Sequence, residues 1–219
     1  MSNSVLVVVA HPDDEVLGCG GTIASHISRG DSVGVVFLAD GVSSRVDVID
    51  SDITMRQQAL QGAMEVLGVD CVTNLSFPDN RMDSIPLLDI VQSLEPIIKK
   101  LAPSIIYTHH AADLNIDHRI THQAVLTACR PLPNSSVCQI YGMEIVSSTE
   151  WGGVFEPALY IDITNFVDKK ISALNKYIHE VRPAPHSRSI EHVLALARHR
   201  GLSVGRGAAE AFTVIRIIQ

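Results

Sequence analysis

The first chemically reactive stretch of the chain is His11-Pro12-Asp13-Asp14-Glu15, which combines one imidazole with three carboxylates. A neutral imidazole and a carboxylate three residues apart can bind one divalent cation where the chain turns sharply, and Pro12 favours such a turn. Three carboxylates would repel a phosphate, and the nearby glycines come only later, at Gly18, Gly20 and Gly21. The stretch therefore indicates a metal site rather than the phosphate-binding turn of a dinucleotide-binding domain. Those glycines are better explained by close packing of a helix on a sheet.

The densest group of histidines comes later in the chain, in the stretch His109-His110-Ala111-Ala112-Asp113-Leu114-Asn115-Ile116-Asp117-His118, with His122 one helical turn further on. Catalytic zinc usually has three protein ligands and keeps one position for water. Because His11 and Asp14 supply only two ligands, a third must come from another part of the chain. This histidine group is the richest source of imidazoles for that position.

Alternating strands and helices must position these two groups. Strands are predicted over residues 5–10, 33–39, 71–75, 104–108, 137–141, 159–163 and 212–218, and helices over residues 15–29, 53–67, 86–100, 117–129, 165–179 and 189–200. The alternation predicts an α/β fold with a single domain over residues 1–219, in which helices cover both faces of a Rossmann-like, mostly parallel sheet. The segment after Asn134 breaks the strict alternation.

This topology predicts that the two groups meet. With the strand order 3-2-1-4, the first and fourth strands are neighbours where the strand order reverses, and ligands bind beyond the carboxyl ends of the strands at that point.

Simpler interpretations of these residues stay open. The carboxylates of residues 13–15 could merely favour a helix N-terminus. His118 and His122 lie four apart and could form a surface pair or a two-ligand site.

Composition narrows the class of protein. The 219 residues carry a formal charge of −7, with 46% hydrophobic and 19% charged side chains, which excludes a disordered chain and disfavours nucleic acid as a partner. No apolar run approaches the roughly 20 residues that cross a bilayer, and the first residues lack the basic segment of a signal peptide. The four cysteines form no C-x-x-C pair. We expect a cytoplasmic protein without stable membrane insertion.

The sequence resembles the PIG-L/LmbE-like family of zinc-dependent N-deacetylases over most of its length. The resemblance depends chiefly on the block Ala10-His11-Pro12-Asp13-Asp14-Glu15-Val16-Leu17-Gly18-Cys19-Gly20-Gly21-Thr22 and on Asp117-His118-Arg119. Lesser agreements are Asp40-Gly41, Arg56 before Leu67-Gly68, Phe77-Pro78-Asp79 and Ala209-Glu210-Ala211-Phe212.

The resemblance implies that His11, Asp14 and His118 bind Zn²⁺ and that Asp13 is the general base. Fe²⁺ or another divalent metal also suits two nitrogens and a carboxylate. The implied reaction is attack of metal-activated water on the acetyl group of an N-acetylated amino sugar or glycoconjugate, releasing acetate and a free amine. The implied partner is thus a small N-acetyl sugar, and a homo-oligomer is compatible with the sequence.

The chain departs from the family pattern at Asn115, where many members carry a histidine three residues before the metal-binding one. An amide can donate to an oxyanion but is not an ordinary acid, so proton delivery falls to Asp13 or His186. The simpler interpretation is that Asn115 caps the following helix.

The departure at Asn115 motivates an alternative function, a non-catalytic sugar or nucleotide-sugar binding module. A nicotinamide-dependent oxidoreductase is disfavoured, because no G-x-G-x-x-G follows the first strand.

The resemblance also implies substrate contacts. The implied residues are Arg56, Asp79, His186 and Arg188. Arg188 could hold a phosphate or carboxylate of the substrate, or be merely solvated. Glu144 and Trp151 could line a sugar pocket, although a single tryptophan is equally often part of a core.

Overall fold

The computed structural model describes residues 2–219, which form one α/β unit. Seven strands and six helices follow one another in the described chain: β1 Ser4–Val9, α1 Asp14–Ser28, β2 Ser32–Ala39, α2 Asp50–Leu67, β3 Cys71–Phe77, α3 Leu87–Leu101, β4 Ile105–His109, α4 Ile116–Ala128, β5 Gln139–Met143, β6 Leu159–Asp162, α5 Val167–Leu174, α6 Ile190–Leu202 and β7 Ala209–Ile217. None of the helices in this part of the chain is both long and apolar enough to span a membrane.

The strands form one sheet in the order β3-β2-β1-β4-β5-β7-β6. The pairs from β3 to β5 are parallel, whereas β7 is antiparallel to both β5 and β6. The predicted order 3-2-1-4 and the mostly parallel sheet are therefore confirmed. The antiparallel end accounts for the break in alternation after Asn134, because β6 and β7 do not follow the strand-helix-strand repeat.

The continuous apolar run of β1 is explained by burial on both faces of the sheet. Val5, Val7 and Val9 pack on one face, in the core shared with α1, α2 and α5. Leu6 and Val8 pack on the other face, against α3 and α4. Since β1 lies in the middle of the sheet, the turn that follows it is held rigidly at the sheet's carboxyl edge.

Helix α1 is broken at Cys19, whose φ of −148° is not helical. The glycines around the break allow close packing, as predicted. A Cβ on Gly18 would lie 2.5 Å from Sδ of Met143, and one on Gly21 would lie 2.7 Å from Cγ2 of Ile163. A larger side chain at Gly18 would push the first half of α1, and the turn before it, away from β5.

The predicted helix over residues 165–179 is wrong in its extent. A 3₁₀ turn, Thr164–Phe166, precedes α5, and the helix ends at Leu174. The chain then turns, which lets the hydroxyl of Tyr177 donate to Glu15 at 2.7 Å and places Glu180 2.8 Å from Arg56. These polar contacts depend on the chain leaving the helix, so helical periodicity did not reveal them.

Candidate metal centre

A tight turn links β1 to α1 and points its carboxylates into the protein. Asp13 has a φ of 110°, in the left-handed region, and Asp14 begins α1. The backbone N–H of His11 donates to Oδ2 of Asp14 at 2.9 Å, and the N–H of Asp13 donates to Oε2 of Glu15 at 2.9 Å. The acidic residues of the turn therefore have specific buried partners, beyond any general preference for a helix N-terminus.

His11, Asp14 and His118, which we call the ligand triad, lie together at the carboxyl edge of β1 and β4. Oδ2 of Asp14 is 3.3 Å from Nδ1 of His11 and 3.3 Å from Nε2 of His118. The ligand atoms of the triad lie within 4.8 Å of one another, and all three residues are buried. The structure thus brings together the three residues that the sequence singled out.

The unused polar atoms of the triad fit a divalent cation. Within residues 2–219, Oδ1 of Asp14 and Nε2 of His118 are buried and have no hydrogen-bond partner. Unpartnered buried polar atoms are costly, and a cation would satisfy both of these. Two imidazole nitrogens and a carboxylate oxygen are a normal donor set for a catalytic metal.

Two further carboxylates hold His11 from its other side. Nε2 of His11 lies 3.1 Å from Oδ2 of Asp117 and 3.2 Å from Oδ1 of Asp79. This arrangement leaves Nδ1 of His11 for a metal, as is usual for histidine ligands. Burial raises the pKa of Asp79, but contacts with His11 and Ser44 outweigh that effect and lower it to about 2.

His11, Asp79 and Asp117 also form a group with the spacing of metal ligands. Their oxygens, however, are already used. Asp117 accepts from the backbone N–H groups of Asn80 at 2.7 Å and Met82 at 3.1 Å, and Asp79 accepts from the hydroxyl of Ser44 at 2.6 Å. The ligand triad, with its two unpartnered atoms, is the better metal site.

Asp113 orients His118 in the same way that Asp79 and Asp117 orient His11. Its Oδ1 lies 3.1 Å from Nδ1 of His118, and its Oδ2 accepts from the hydroxyl of Thr149 at 2.6 Å. Oδ1 also accepts from the hydroxyl of Ser148. Burial raises the pKa of Asp113, but these partners outweigh burial and hold it well below its usual range. An ionised Asp113 leaves Nε2 of His118 as the free, metal-facing nitrogen.

Asp13 lies beside the ligand triad without belonging to it. Its side chain is 1% exposed, and its Oδ2 is 3.1 Å from Nη1 of Arg188 and 3.4 Å from Nη2 of Arg56. Burial raises the pKa of Asp13, and the two guanidinium groups counteract that rise only in part. A buried carboxylate in this position can accept a proton from water bound near the triad.

A family model described as "PIG-L: GlcNAc-PI de-N-acetylase" matches residues 6–129, which is more than half of the 219 residues. The chain belongs to the PIG-L family. The match includes most of β1 with the turn after it, and β4 with helix α4, which contributes His118. The predicted family and α/β fold are both confirmed.

Curated relatives agree with this membership, and a solved structure shares the fold. The chain is 33% identical, over 79% of its length and 89% of the other protein, to an uncharacterized deacetylase, YaiS, from Escherichia coli. It is 28% identical, over 81% of its length and 83% of the other, to a probable N-acetyl-alpha-D-glucosaminyl L-malate deacetylase 2 from Bacillus cereus. An N,N'-diacetylchitobiose deacetylase from Pyrococcus horikoshii shares the fold, with a TM-score of 0.79 at 21% identity, covering 97% of this chain and 83% of that one.

The two arginines that the PIG-L resemblance implied as substrate contacts are held by protein groups, and a contact of either with substrate stays a prediction. Arg56 is 7% exposed; its Nη1 lies 2.8 Å from Glu180, and its Nη2 donates to the carbonyl of Pro12. Nε of Arg188 donates to the hydroxyl of Ser147 at 2.7 Å. The hypothesis of a merely solvated Arg188 is wrong, because both arginines hold Asp13. Arg56 also lines a cavity of about 270 Å³ next to this network.

The other three predicted site residues lie in different surroundings. Oδ1 of Asn115 accepts from the N–H of Asp117 at 2.8 Å and caps α4, while its Nδ2 donates to Asn80 at 3.1 Å. Asp79 is 2% exposed and contacts His11, as described above. His186 is exposed, and its Nδ1 accepts from the N–H of Arg188 at 3.0 Å. The helix-cap interpretation of Asn115 is confirmed, and a direct substrate contact by any of the three stays a prediction.

Two histidines that sequence reasoning left unassigned support the site. The ring of His109 stacks on that of His118 at 3.9 Å between centroids, and its Nε2 accepts from the N–H of Ala10 at 2.9 Å. Nδ1 of His122 contacts the carbonyl of His109 at 2.9 Å. Neither is in the triad, and His122 is buried, so the surface-pair and two-ligand interpretations of His118 and His122 are wrong.

Proposed function

We propose that this chain is a metal-dependent N-deacetylase that hydrolyses the acetamide of an N-acetylated amino sugar or glycoconjugate. The single observation that carries the proposal is the buried ligand triad with Asp13 beside it but outside it. The family description and the Bacillus cereus relative both name N-acetylglucosaminyl compounds, which supports a small amino-sugar substrate. We further propose a cytoplasmic setting, which the four unpaired cysteines of the described chain support.

His11, Asp14 and His118 would hold the cation in this proposal, with zinc preferred because two imidazoles and one carboxylate form a common catalytic zinc set. A bound cation polarises the acetyl carbonyl and lowers the pKa of the attacking water. Asp79 and Asp117 orient His11, and Asp113 orients His118, so that each imidazole presents one fixed nitrogen.

Asp13 is the general base of the proposed reaction. Its carboxylate accepts a proton from water as the water oxygen bonds to the acetyl carbon, and the same proton then passes to the amine as the C–N bond breaks. The products are acetate and a free amine. Arg56 and Arg188 fix the carboxylate of Asp13 in place, and the amide of Asn115 donates to the oxyanion of the tetrahedral intermediate.

The test is acetate release by the purified protein, with metal content measured on the same sample. N-acetylglucosamine, N,N'-diacetylchitobiose and N-acetylglucosaminyl malate serve as substrates. We expect Asp13→Asn to retain the metal and to lower kcat by about 10²–10⁴-fold, because it removes the base but no ligand. Asp70→Asn, an exposed carboxylate on the loop before β3, is the matched control and should retain wild-type activity.

A metal-loaded wild type that releases no acetate from these substrates would overturn the proposal. The alternative, a non-catalytic sugar-binding module, predicts sugar binding that survives both chelation and the Asp13 substitution. Full activity of Asp13→Asn would show that Asp13 is not the general base. Zinc itself is tested by comparing kcat/KM after reconstitution of the apoprotein with Zn²⁺ and with Fe²⁺.

A further inference from the structure

A short segment, residues 147–151, connects the two sides of the site; we call it the rim segment. At its beginning, the hydroxyl of Ser147 accepts from Arg188 at 2.7 Å, and Arg188 contacts Asp13. Two residues later, the hydroxyl of Thr149 donates to Asp113 at 2.6 Å, and Asp113 contacts His118. The rim segment is therefore linked to the proposed base through Arg188 and to a proposed metal ligand through Asp113.

The rim segment is held firmly by its own hydrogen bonds. The carboxylate of Glu150 accepts from the N–H groups of Ser147 at 2.6 Å and Ser148 at 3.1 Å, and the N–H of Thr149 donates to Ile145 at 2.9 Å. The N–H of Trp151 donates to the carbonyl of Ser148 at 3.3 Å and that of Gly152 to the carbonyl of Thr149 at 3.1 Å, which closes a 3₁₀ turn, Thr149–Trp151. Its last residue therefore has a fixed backbone position.

The glycines after the rim segment lie directly on the loop that precedes α4. The N–H of Gly153 donates to the carbonyl of Ala112 at 2.6 Å, and a Cβ on Gly152 would overlap that same oxygen. Only a residue without a side chain permits this approach. Because Ala112 is next to Asp113, both ends of the 3₁₀ turn are fixed to the loop that orients His118.

Trp151, the last residue of this fixed turn, is the only tryptophan of the chain and is 60% exposed. Residues on the two joined loops are also exposed and apolar: Leu114 at 53% and Val154 at 78%. The sequence-based alternative of a core tryptophan is therefore wrong. An exposed indole on a rigid turn is a surface that loses little conformational entropy when a ligand covers it.

We propose that Trp151 is the platform on which a pyranose ring of the substrate stacks. A pyranose presents a face of C–H groups to an aromatic ring while its hydroxyls stay in water, which matches a half-exposed indole beside a polar site. The inference rests on the proposed function, because it names the residue that binds the sugar of that same substrate. Trp151 thus contributes affinity and selectivity for sugars, and the chemistry stays with Asp13 and the ligand triad.

The first experiment uses the single tryptophan as its own probe. The metal-loaded protein is titrated with N,N'-diacetylchitobiose or N-acetylglucosamine, and with sodium acetate as the control ligand, while its fluorescence is recorded. We expect the sugars alone to shift the emission to shorter wavelength in a saturable manner, because stacking removes indole surface from water. A Trp151→Phe protein provides the blank for this signal.

The second experiment separates binding from chemistry. We expect Trp151→Ala to raise KM for the disaccharide by about five- to tenfold with kcat within about twofold, and Trp151→Phe to retain most of the affinity. Leu202→Ala is the matched control: Leu202 is 73% exposed and lies at the far end of α6, whose 13 residues span about 20 Å from the Arg188 loop. It should leave both constants unchanged. Circular dichroism checks that each variant folds.

The outcomes distinguish the two proposals. Acetate release with no sugar-dependent emission shift and an unchanged KM in Trp151→Ala would overturn the platform while the proposed function stands. A saturable emission shift without acetate release would support sugar stacking on Trp151 and overturn the proposed deacetylase function. If neither the shift nor acetate release is observed, both are overturned.

Discussion

Oδ1 of Asp113 lies 3.1 Å from Nδ1 of His118, on the side of the imidazole opposite the nitrogen that faces Asp14. A carboxylate in this position selects the tautomer with the proton on Nδ1 and fixes the plane of the ring. His11 has the same kind of support from Asp117. Each histidine of the ligand triad is therefore oriented by a buried acid from the stretch between β4 and the first turn of α4: Asp113 for His118 and Asp117 for His11.

Asp113→Ala should weaken metal binding by about 10–100-fold, because His118 would lose the partner that orients it. The measurement is competition for Zn²⁺ with a chromophoric chelator, with kcat/KM at saturating zinc as a second readout. Asp70→Ala, an exposed acid on the loop before β3, is the control and should bind metal like the wild type. Unchanged zinc affinity in Asp113→Ala would show that the stack on His109 alone holds His118.

Removing the metal should lower the thermal stability of the protein. A ligand present at about 100 times its Kd adds about 2.7 kcal/mol to the free energy of unfolding. For a chain of this size that corresponds to a Tm shift of about 5–10 °C. Calorimetry before and after chelation, and after zinc is restored, measures the shift. Asp14→Asn should abolish the dependence of Tm on zinc; a dependence that persists in this variant would move the site away from Asp14.

The sequence predicted the parts of this site that follow from local pattern and topology. The order 3-2-1-4 placed the turn after β1 beside the loop after β4, and His11, Asp14 and His118 do converge there. These features were predictable because each depends on a few consecutive residues: the buried valine run of β1 and the His11-Pro12-Asp13-Asp14-Glu15 stretch that follows it. All seven strands of the sheet were predicted from short local patterns, although the predicted strand over 212–218 misses the start of β7.

Contacts made by distant turns could not be predicted in this way. Tyr177 reaches Glu15 across 162 residues, and Glu180 reaches Arg56 only because α5 ends early. No spacing in the sequence signals either contact. Asp113 and Asp117 do stand close to His118 in the sequence, so their proximity was a usable signal, but their roles depend on side-chain directions that only the structure defines.

Asn115 has two roles here: it caps helix α4, and in the proposed reaction it donates to the oxyanion. Substitutions at Asn115 can separate these two roles. Asn115→Ala should lower the free energy of unfolding by about 1 kcal/mol, because the N–H of Asp117 loses its acceptor. Asn115→Ser should restore most of that stability, since serine also caps helices, yet should still lower kcat because the carboxamide donor is absent. Urea denaturation and acetate release are the two measurements. Wild-type kcat in the serine variant would limit Asn115 to the cap.

The buried pair Lys170–Glu210 should stabilise the break in α1. Nζ of Lys170 lies 2.5 Å from Oε1 of Glu210 and donates to the carbonyl of Leu17 at 2.8 Å. The carboxylate of Glu210 also accepts from the N–H groups of Gly21 at 3.0 Å and Thr22 at 2.7 Å. The pair therefore satisfies backbone groups on both sides of Cys19, where the helix cannot do so itself.

Lys170→Met should lower the free energy of unfolding by about 3–5 kcal/mol, because it leaves the charge of Glu210 buried without a partner. Adding Glu210→Gln should recover part of that loss, since the amide oxygen still accepts from the backbone while the lone charge is gone. Recovery should stay incomplete, because the carbonyl of Leu17 keeps no donor. Urea denaturation of the wild type, both single variants and the double variant gives the coupling free energy. A coupling energy near zero would show that each side chain stabilises the helix break independently of its partner.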